Sequence, residues 1–182
     1  MISNEYKKIL QQLNGVGNFG KRAKIPKYLD TVINKLKPNS ILDFGCGTGA
    51  LISKLRENYS KIRVEGYDPG NGNYLDQFKG QKFDLLISTD VLEHIEPEFL
   101  DDTLKFLKSK ADNFYHLIAL APSSVTLPDG RNAHLILESK EWWRCKFTNE
   151  NCSIMLEHHM NHIKNNKTVN KFFISGSYRL TY

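Results

Sequence analysis

The stretch that most limits what this chain can become is Ser40-Ile41-Leu42-Asp43-Phe44-Gly45-Cys46-Gly47-Thr48-Gly49. An apolar run, Ile41 to Phe44, breaks into glycines and passes at once into Ala50-Leu51-Ile52-Ser53-Lys54-Leu55. That pattern predicts a buried parallel strand, a tight turn and a helix start. Glycine suits the turn because the chain bends sharply and a ligand can reach the backbone with no Cβ in its path. The first N–H groups of the following helix have no intrahelical partner and point toward that ligand. Asp43 adds a carboxylate beneath the turn. The stretch therefore predicts a nucleotide-like cofactor over residues 43–50.

The chain around it has 182 residues, enough for one well-cored domain and short for two. We expect a single domain over 1–182, with 1–37 as an N-terminal helical cap. No run of eighteen or more apolar residues occurs, so no membrane-spanning helix is expected. Met1 to Gln12 is polar and lacks the apolar centre of a signal peptide. Cys46, Cys145 and Cys152 form no metal-type spacing and leave an odd count, which suits a reduced cytoplasm. The formal charge of +5 is spread over scattered lysines with no arginine-rich block. This reads as a solvated basic surface rather than a nucleic-acid face.

Taken in order, Asn4 to Leu13 predicts a helix with Tyr6, Ile9, Leu10 and Leu13 on one side. Gly15 to Gly20 is a flexible connection, a hinge if the N-terminal piece acts as a lid and a plain linker if that piece only packs on the sheet. A second helix runs from Pro26 to Leu36. Helix Ala50–Asn58 follows the glycine turn, then a strand over Ile62–Asp68. Asp68 lies nineteen residues after Gly49, where an α/β nucleotide fold places a carboxylate for ribose hydroxyls. Phe83–Ser88 is another buried strand, and the short 69–82 segment leaves room only for abbreviated elements. Asp90-Val91-Leu92-Glu93-His94-Ile95 follows, at a strand's C-terminal end where open α/β sheets bind ligands. A helix over Pro97–Lys110, a strand over Asn113–Ala121, a loop over Pro122–Leu137 and a helix over Glu138–Phe147 come next. Ser153–His158 and Lys171–Leu180 predict an antiparallel hairpin joined through the polar Asn161–Lys167.

Gly45 to Ala50 also satisfies the dinucleotide pattern G-x-G-x-x-[GA] with an acid about twenty residues on. Three features argue against a dehydrogenase: the helical start before the turn, the short chain, and a C-terminal hairpin in place of further strand–helix alternation. Ile41 to Gly49 instead resembles the first motif of Rossmann-like S-adenosylmethionine-dependent methyltransferases. Asp68 matches their ribose-binding acid, the final hairpin their antiparallel last strand, and Phe83–Ile95 the region after their fourth strand. Leu127–Leu135 with Trp142-Trp143 is similar to short bacterial and phage-associated members. The resemblance spans roughly 26–182 and departs at 69–82, a shortened segment in which the family's usual acidic contact to the adenine amino group is not assigned.

It implies an α/β three-layer sandwich, mostly parallel with an antiparallel C-terminal hairpin, that binds S-adenosylmethionine and releases S-adenosylhomocysteine. Gly45, Cys46, Gly47 and Gly49 would form the turn against the methionine and ribose portions, with Asp43 holding the turn and the amino group. Asp68, with Pro69 after it, would bind the ribose hydroxyls. Asp90 and Val91 would lie along the methionine or adenine side. Methyl transfer needs in-line alignment, and a hydroxyl acceptor also needs a base. His134 and His94 are the candidates, and Arg131 is placed to recognise an anionic group. Asp90, Glu93 and His94 also resemble the Glu-Val-Leu-Glu-His magnesium ligands of ubiquinone-pathway O-methyltransferases, a reading set below simple loop packing. No metal ligand is therefore assigned. His158, His159 and His162 read as an ordinary strand end, because strand neighbours face opposite ways. The expected acceptor is a small molecule or a saccharide or lipid precursor. The alternatives are a nucleic-acid methyltransferase, against which no proline-based amino-methylating signature or recognition domain appears, and an inactive cofactor-binding partner subunit.

Overall fold

The computed structural model describes residues 2–13, 24–70, 80–164 and 167–178. Strands β1 (Ser40–Phe44), β2 (Arg63–Tyr67), β3 (Phe83–Thr89), β4 (Ala111–Ala119), β5 (Ser153–Lys164) and β6 (Lys167–Ser177) form one sheet in the order β2-β1-β3-β4-β6-β5. The first four run parallel. β6 is antiparallel to β4, and β5 to β6. Every residue of β1 is buried, which is why it reads as a continuous apolar run broken only by Ser40 and Asp43.

Alternate side chains of each strand feed opposite faces. On one face, helices α2 (Lys27–Leu36) and α3 (Ala50–Asn58) pack Leu29, Val32, Ile33 and Leu55 against Ile41, Leu85, Ile87 and Phe173. On the other, α4 (Leu100–Lys110) and α5 (Lys140–Asn149) pack Leu104, Leu107, Trp143 and Phe147 against Leu42, Phe44, Phe114 and Ile174. This is the expected three-layer α/β sandwich. Helix α1 (Asn4–Leu13) stands apart from both faces and lays Tyr6 on Leu127 and Ala133. Ser3 anchors it, its N–H and hydroxyl both donating to the Glu96 carboxylate, at 2.7 and 2.8 Å.

Several boundaries differ from expectation. Pro26 caps α2 from outside, and a 3₁₀ turn, Pro97–Phe99, precedes α4. β4 starts and ends two residues early, and α5 starts after Ser139, whose hydroxyl accepts from Trp142 N. The hairpin strands run much further, through the polar Asn161–Lys164. Ladder hydrogen bonds between two neighbouring strands form regardless of side-chain polarity, so register overrides composition there. Trp143 is wholly buried core, with Trp142 edge-on to it. The expected hinge Gly15–Gly20, Phe19 and the end of the last strand at Leu180 lie outside the described residues.

Residues 71–79 also lie outside the described residues, and among those described no strand or helix separates β2 from β3. β1 has β2 on one side and β3 on the other. The strand order reverses there, so a crevice opens at the carboxyl ends of β1 and β3, the position where open α/β sheets bind ligands.

Candidate functional site

Two loops meet at that crevice. The first is the glycine turn after β1. Gly45, Gly47 and Gly49 all have positive φ (75°, 54° and 79°), a region in which a Cβ crowds the neighbouring peptide. Gly45 N donates to Tyr67 O at 2.7 Å, locking the turn to the end of β2. A Cβ at Gly45 would come within 2.5 Å of both Val91 methyl carbons, so absence of a side chain lets the second loop close onto the first. Asp68 Oδ2 accepts from Gly47 N at 2.7 Å and Oδ1 from Gly70 N at 2.8 Å. Pro69 lies between them, half-buried. Leu10 of α1 reaches Gly70, where a Cβ would sit 2.9 Å from Leu10 Cδ1. The N-terminal helix thus lies against the loop that carries Asp68.

Asp43 is buried under this turn, its carboxyl pushed up to about 8 by burial and then by the Asp68 charge. Cys46 is buried beside it, and burial raises its thiol too, so it is a packing group and not a nucleophile.

The second loop follows β3. Asp90 takes φ 56°, its N–H donating to Leu117 O at 2.8 Å, and Lys171 Nζ lies 2.5 Å from each Asp90 carboxylate oxygen. Leu92–His94 form a 3₁₀ turn that buries Glu93 completely. Glu93 Oε1 accepts from Ala119 N at 3.0 Å, while Oε2 is buried without a partner. Its carboxyl is pushed up to about 8, by burial and then by Asp90. The Glu93 carbonyl accepts from Leu135 N and Ile136 N, so this turn holds the far end of the 122–137 loop. That loop is tied internally as well: Asn132 bridges Ser123 and His134 N, and Thr126 pairs with Asn132.

This cross-link carries His134 to His94. Their rings meet edge to face with centroids 4.8 Å apart. His94 Nδ1 bonds Ala133 O at 2.7 Å, and His134 Nδ1 bonds Ala121 O at 2.5 Å. A carbonyl accepts only, so both Nδ1 atoms carry a proton. His94 is lowered to about 4 by burial and then by His134, which keeps it neutral at ordinary pH. Glu93, His94 and His134 each bring one ligand-capable atom within 4.8 Å of the others.

The site residues read from the sequence therefore fall into two groups. Asp43, Gly45, Cys46, Gly47, Gly49, Asp68 and Pro69 line the first loop. Asp90, Val91 and His94 belong to the second, and His134 reaches it from the 122–137 loop after β4. Arg131 is not aimed at the crevice's carboxylates: it pairs with Asp129 at 2.7 Å and lies over the Tyr6 ring. His158 and His162 are exposed, and His159 bonds Asn170, as an ordinary strand would have it. Sequence reasoning missed Lys171, which the β4–β6 pairing brings to Asp90.

The family model described as "Methyltransferase domain" matches residues 20–166. No protein of curated function matches the chain in sequence. Among solved structures, the chain is similar to 1,6-didemethyltoxoflavin-N1-methyltransferase of Burkholderia thailandensis, with bound 1,6-didemethyltoxoflavin and S-adenosylhomocysteine. The TM-score is 0.63 at 12% identity, over 97% of this chain and 90% of that one. It is also similar to the methyltransferase domain of bacterial CtHen1 (TM-score 0.57, 15% identity, 93% and 98% covered). DhpI in complex with SAM and HEP gives 0.55 at 12% identity, with 97% and 99% covered. The family match runs through the glycine turn, Asp68 and the histidine corner, on the sheet these structures share: the chain belongs to the methyltransferase-domain family and is a Rossmann-like, S-adenosylmethionine-dependent methyltransferase.

Proposed function

We propose that the chain acts as a single cytoplasmic domain, capped by residues 1–37, and methylates a small-molecule acceptor. What supports this reading is the meeting, at one crevice, of a backbone-lined glycine turn and a corner of two backbone-anchored histidines. The free thiols of Cys46, Cys145 and Cys152 fit a reducing compartment. No described helix is long and apolar enough to cross a membrane. The 1,6-didemethyltoxoflavin bound to the similar Burkholderia enzyme and the scattered lysines favour a small acceptor over nucleic acid.

Gly45, Cys46, Gly47 and Gly49 hold the methionine and ribose portions on a surface poor in side chains. Asp68, steadied by two N–H donors, accepts from ribose hydroxyls, with Pro69 bordering them. Asp43 holds the turn and attracts the cofactor's amino group. Asp90 and Val91 border the cofactor's other side. When bound, S-adenosylmethionine supplies a methyl group activated on a sulfonium. The chain's part is to align the acceptor, exclude water and take the acceptor's proton. His134 Nε2 is the atom for that proton, with His94 beside it. Calorimetric titration with S-adenosylmethionine and S-adenosylhomocysteine tests the reading, followed by a labelled-methyl screen of metabolite extracts and nucleic acid. Binding plus label in a small metabolite is expected. No binding of either cofactor form, or label only in nucleic acid, overturns it.

A further inference from the structure

The lysines are scattered along the chain, but the acids are not. From Tyr6 to Leu29 the sequence carries Lys7, Lys8, Lys21, Arg22, Lys24 and Lys27 and no acid. From His158 to Tyr182 it carries Lys164, Lys167, Lys171 and Arg179, again with no acid. All 20 aspartates and glutamates lie outside these two stretches. The fold joins the two. Tyr28, in the first turn of α2, stacks on Phe173 of β6 with ring centroids 4.4 Å apart, and the His158 ring of β5 is 5.0 Å away. Lys24 and Lys27 on one side of that contact, and His158 and His162 on the other, are exposed. Neither stretch supplies a carboxylate to offset the charge, so this flank attracts anions.

The same end of the sheet bears exposed apolar side chains. β4 stops at Ala119, opposite Lys171, while β5 and β6 stay paired as far as Lys164 and Lys167. The last rungs of the hairpin therefore project past the carboxyl end of β4, on the crevice side. Ile163, next to the end of β5, is 77% exposed. Leu137, the other large hydrophobic exposed among the described residues, follows Ile136, whose N–H is bound to the Glu93 carbonyl at the crevice. One exposed isoleucine alone is ordinary. Apolar side chains at the end where two acid-free stretches meet have the make-up of a peripheral lipid-binding face. Basic residues draw such a face to an anionic surface, and apolar ones enter the acyl boundary.

We infer that the start of α2 and the β5–β6 arm form a docking face for an anionic lipid bilayer. The charges of Lys24, Lys27, Lys164 and Lys167 supply the attraction, and Ile163 supplies the insertion. Lys171 is held by both Asp90 oxygens and stays with the crevice. Nucleic acid would meet the charge equally well, but it offers nothing to an isoleucine held out at the end of an arm. The ring at the centre of the patch, Tyr28, is already stacked on Phe173 instead of standing free for a base. Docking on this face turns the carboxyl ends of the strands, and with them the crevice, toward the bilayer. The acceptor is then a lipid-borne molecule. That last step rests on the methyl-transfer reading, and the docking itself does not.

The test is co-sedimentation of the purified full chain with vesicles of phosphatidylcholine and phosphatidylserine at about three to one, against phosphatidylcholine alone. Binding to the anionic vesicles only is expected, weakening as salt rises. Each lysine at such a surface contributes about fivefold. Lys24→Gln with Lys27→Gln, and separately Lys164→Gln with Lys167→Gln, should therefore each lower partitioning roughly 10–30-fold. Ile163→Asn should lower it roughly 3–10-fold with the charge unchanged. All three variants should keep the wild-type melting temperature, which separates lost docking from a lost fold. Equal binding to neutral vesicles, or no loss in either lysine pair, overturns the face. Single-stranded RNA bound more tightly than the vesicles, and equally well by Ile163→Asn, would make nucleic acid the partner and overturn the lipid assignment. Release from the vesicles by inorganic phosphate at constant ionic strength would reduce the face to a small-anion site. Calorimetry with S-adenosylhomocysteine runs beside these measurements. A chain that binds this cofactor form but no anionic vesicle refutes the docking face alone. One that binds the vesicles but neither cofactor form refutes the methyl-transfer reading and leaves the face standing.

Discussion

The glycine turn and the histidine corner stand at the ends of adjacent strands, yet they are made in opposite ways. At the turn, three positive-φ glycines and backbone N–H groups do the shaping, all within a few residues of β1. At the corner, side chains from the 90–94 turn, the 122–137 loop and β6 converge, and backbone carbonyls set the tautomers. The turn is a local product of chain conformation, and the corner is a product of assembly. A change at the turn should therefore act on cofactor binding and folding, and one at the corner on turnover with the fold intact.

The sharpest break in that comparison is His134→Ala. We expect turnover to fall about 10²–10⁴-fold, the range for losing a general base, while S-adenosylhomocysteine affinity stays within about threefold. Cofactor affinity falling in parallel would merge the two regions into one. Gly45→Ala comes next, because it combines a left-handed backbone with a clash on Val91. The expected loss is about 2–5 kcal/mol in thermal stability and cofactor affinity together. Gly45→Ala with Val91→Ala should recover the steric part and leave the backbone part. Complete recovery would mean the positive φ matters little.

A buried histidine outside both regions serves as the control. His116 has both ring nitrogens bonded, to Ser88 Oγ and Tyr178 Oη, and burial lowers it to about 3. Its folded value lies below the unfolded one of about 6.5, so the neutral ring's stability is present above pH 6.5 and lost as pH falls toward 3. His116→Phe should flatten chemical-denaturation stability across that window, by something on the order of 2–4 kcal/mol. An unchanged slope would remove His116 as the acid-labile group.

Asp43 tests the turn more finely. Near pKa 8 it carries most of a proton at pH 7, and the cofactor's amino cation favours its ionised form. Cofactor binding should release up to about 0.9 proton at pH 7, read as a dependence of calorimetric enthalpy on buffer ionisation. Asp43→Asn should abolish that dependence. The smallest effect is Lys171→Met. The Lys171–Asp90 pair is partly exposed, at 31% and 44%, so stability should change by under about 1 kcal/mol. A larger loss would show that the pair locks the corner in place.

Part of this protein could be read without any structure. The strand–glycine–helix run, Asp68 at its spacing and the antiparallel ending are contiguous patterns in which each residue's task depends on near neighbours. That is why the fold class, the glycine turn and the cores of the described α-helices and β-strands emerge from residue order. The hairpin's true length did not, because pairing with β4 extends strands through polar residues. Nor did the fate of Arg131, which its neighbour Asp129 claims. The histidine corner needed tertiary structure altogether. Glu93 and His94 were visible as a motif, but nothing in the sequence says that Lys171 draws Asp90 away or that His134 takes the place beside them. Local conformation is written in consecutive residues. Which distant side chains share a site is decided only when the sheet and its loops pack.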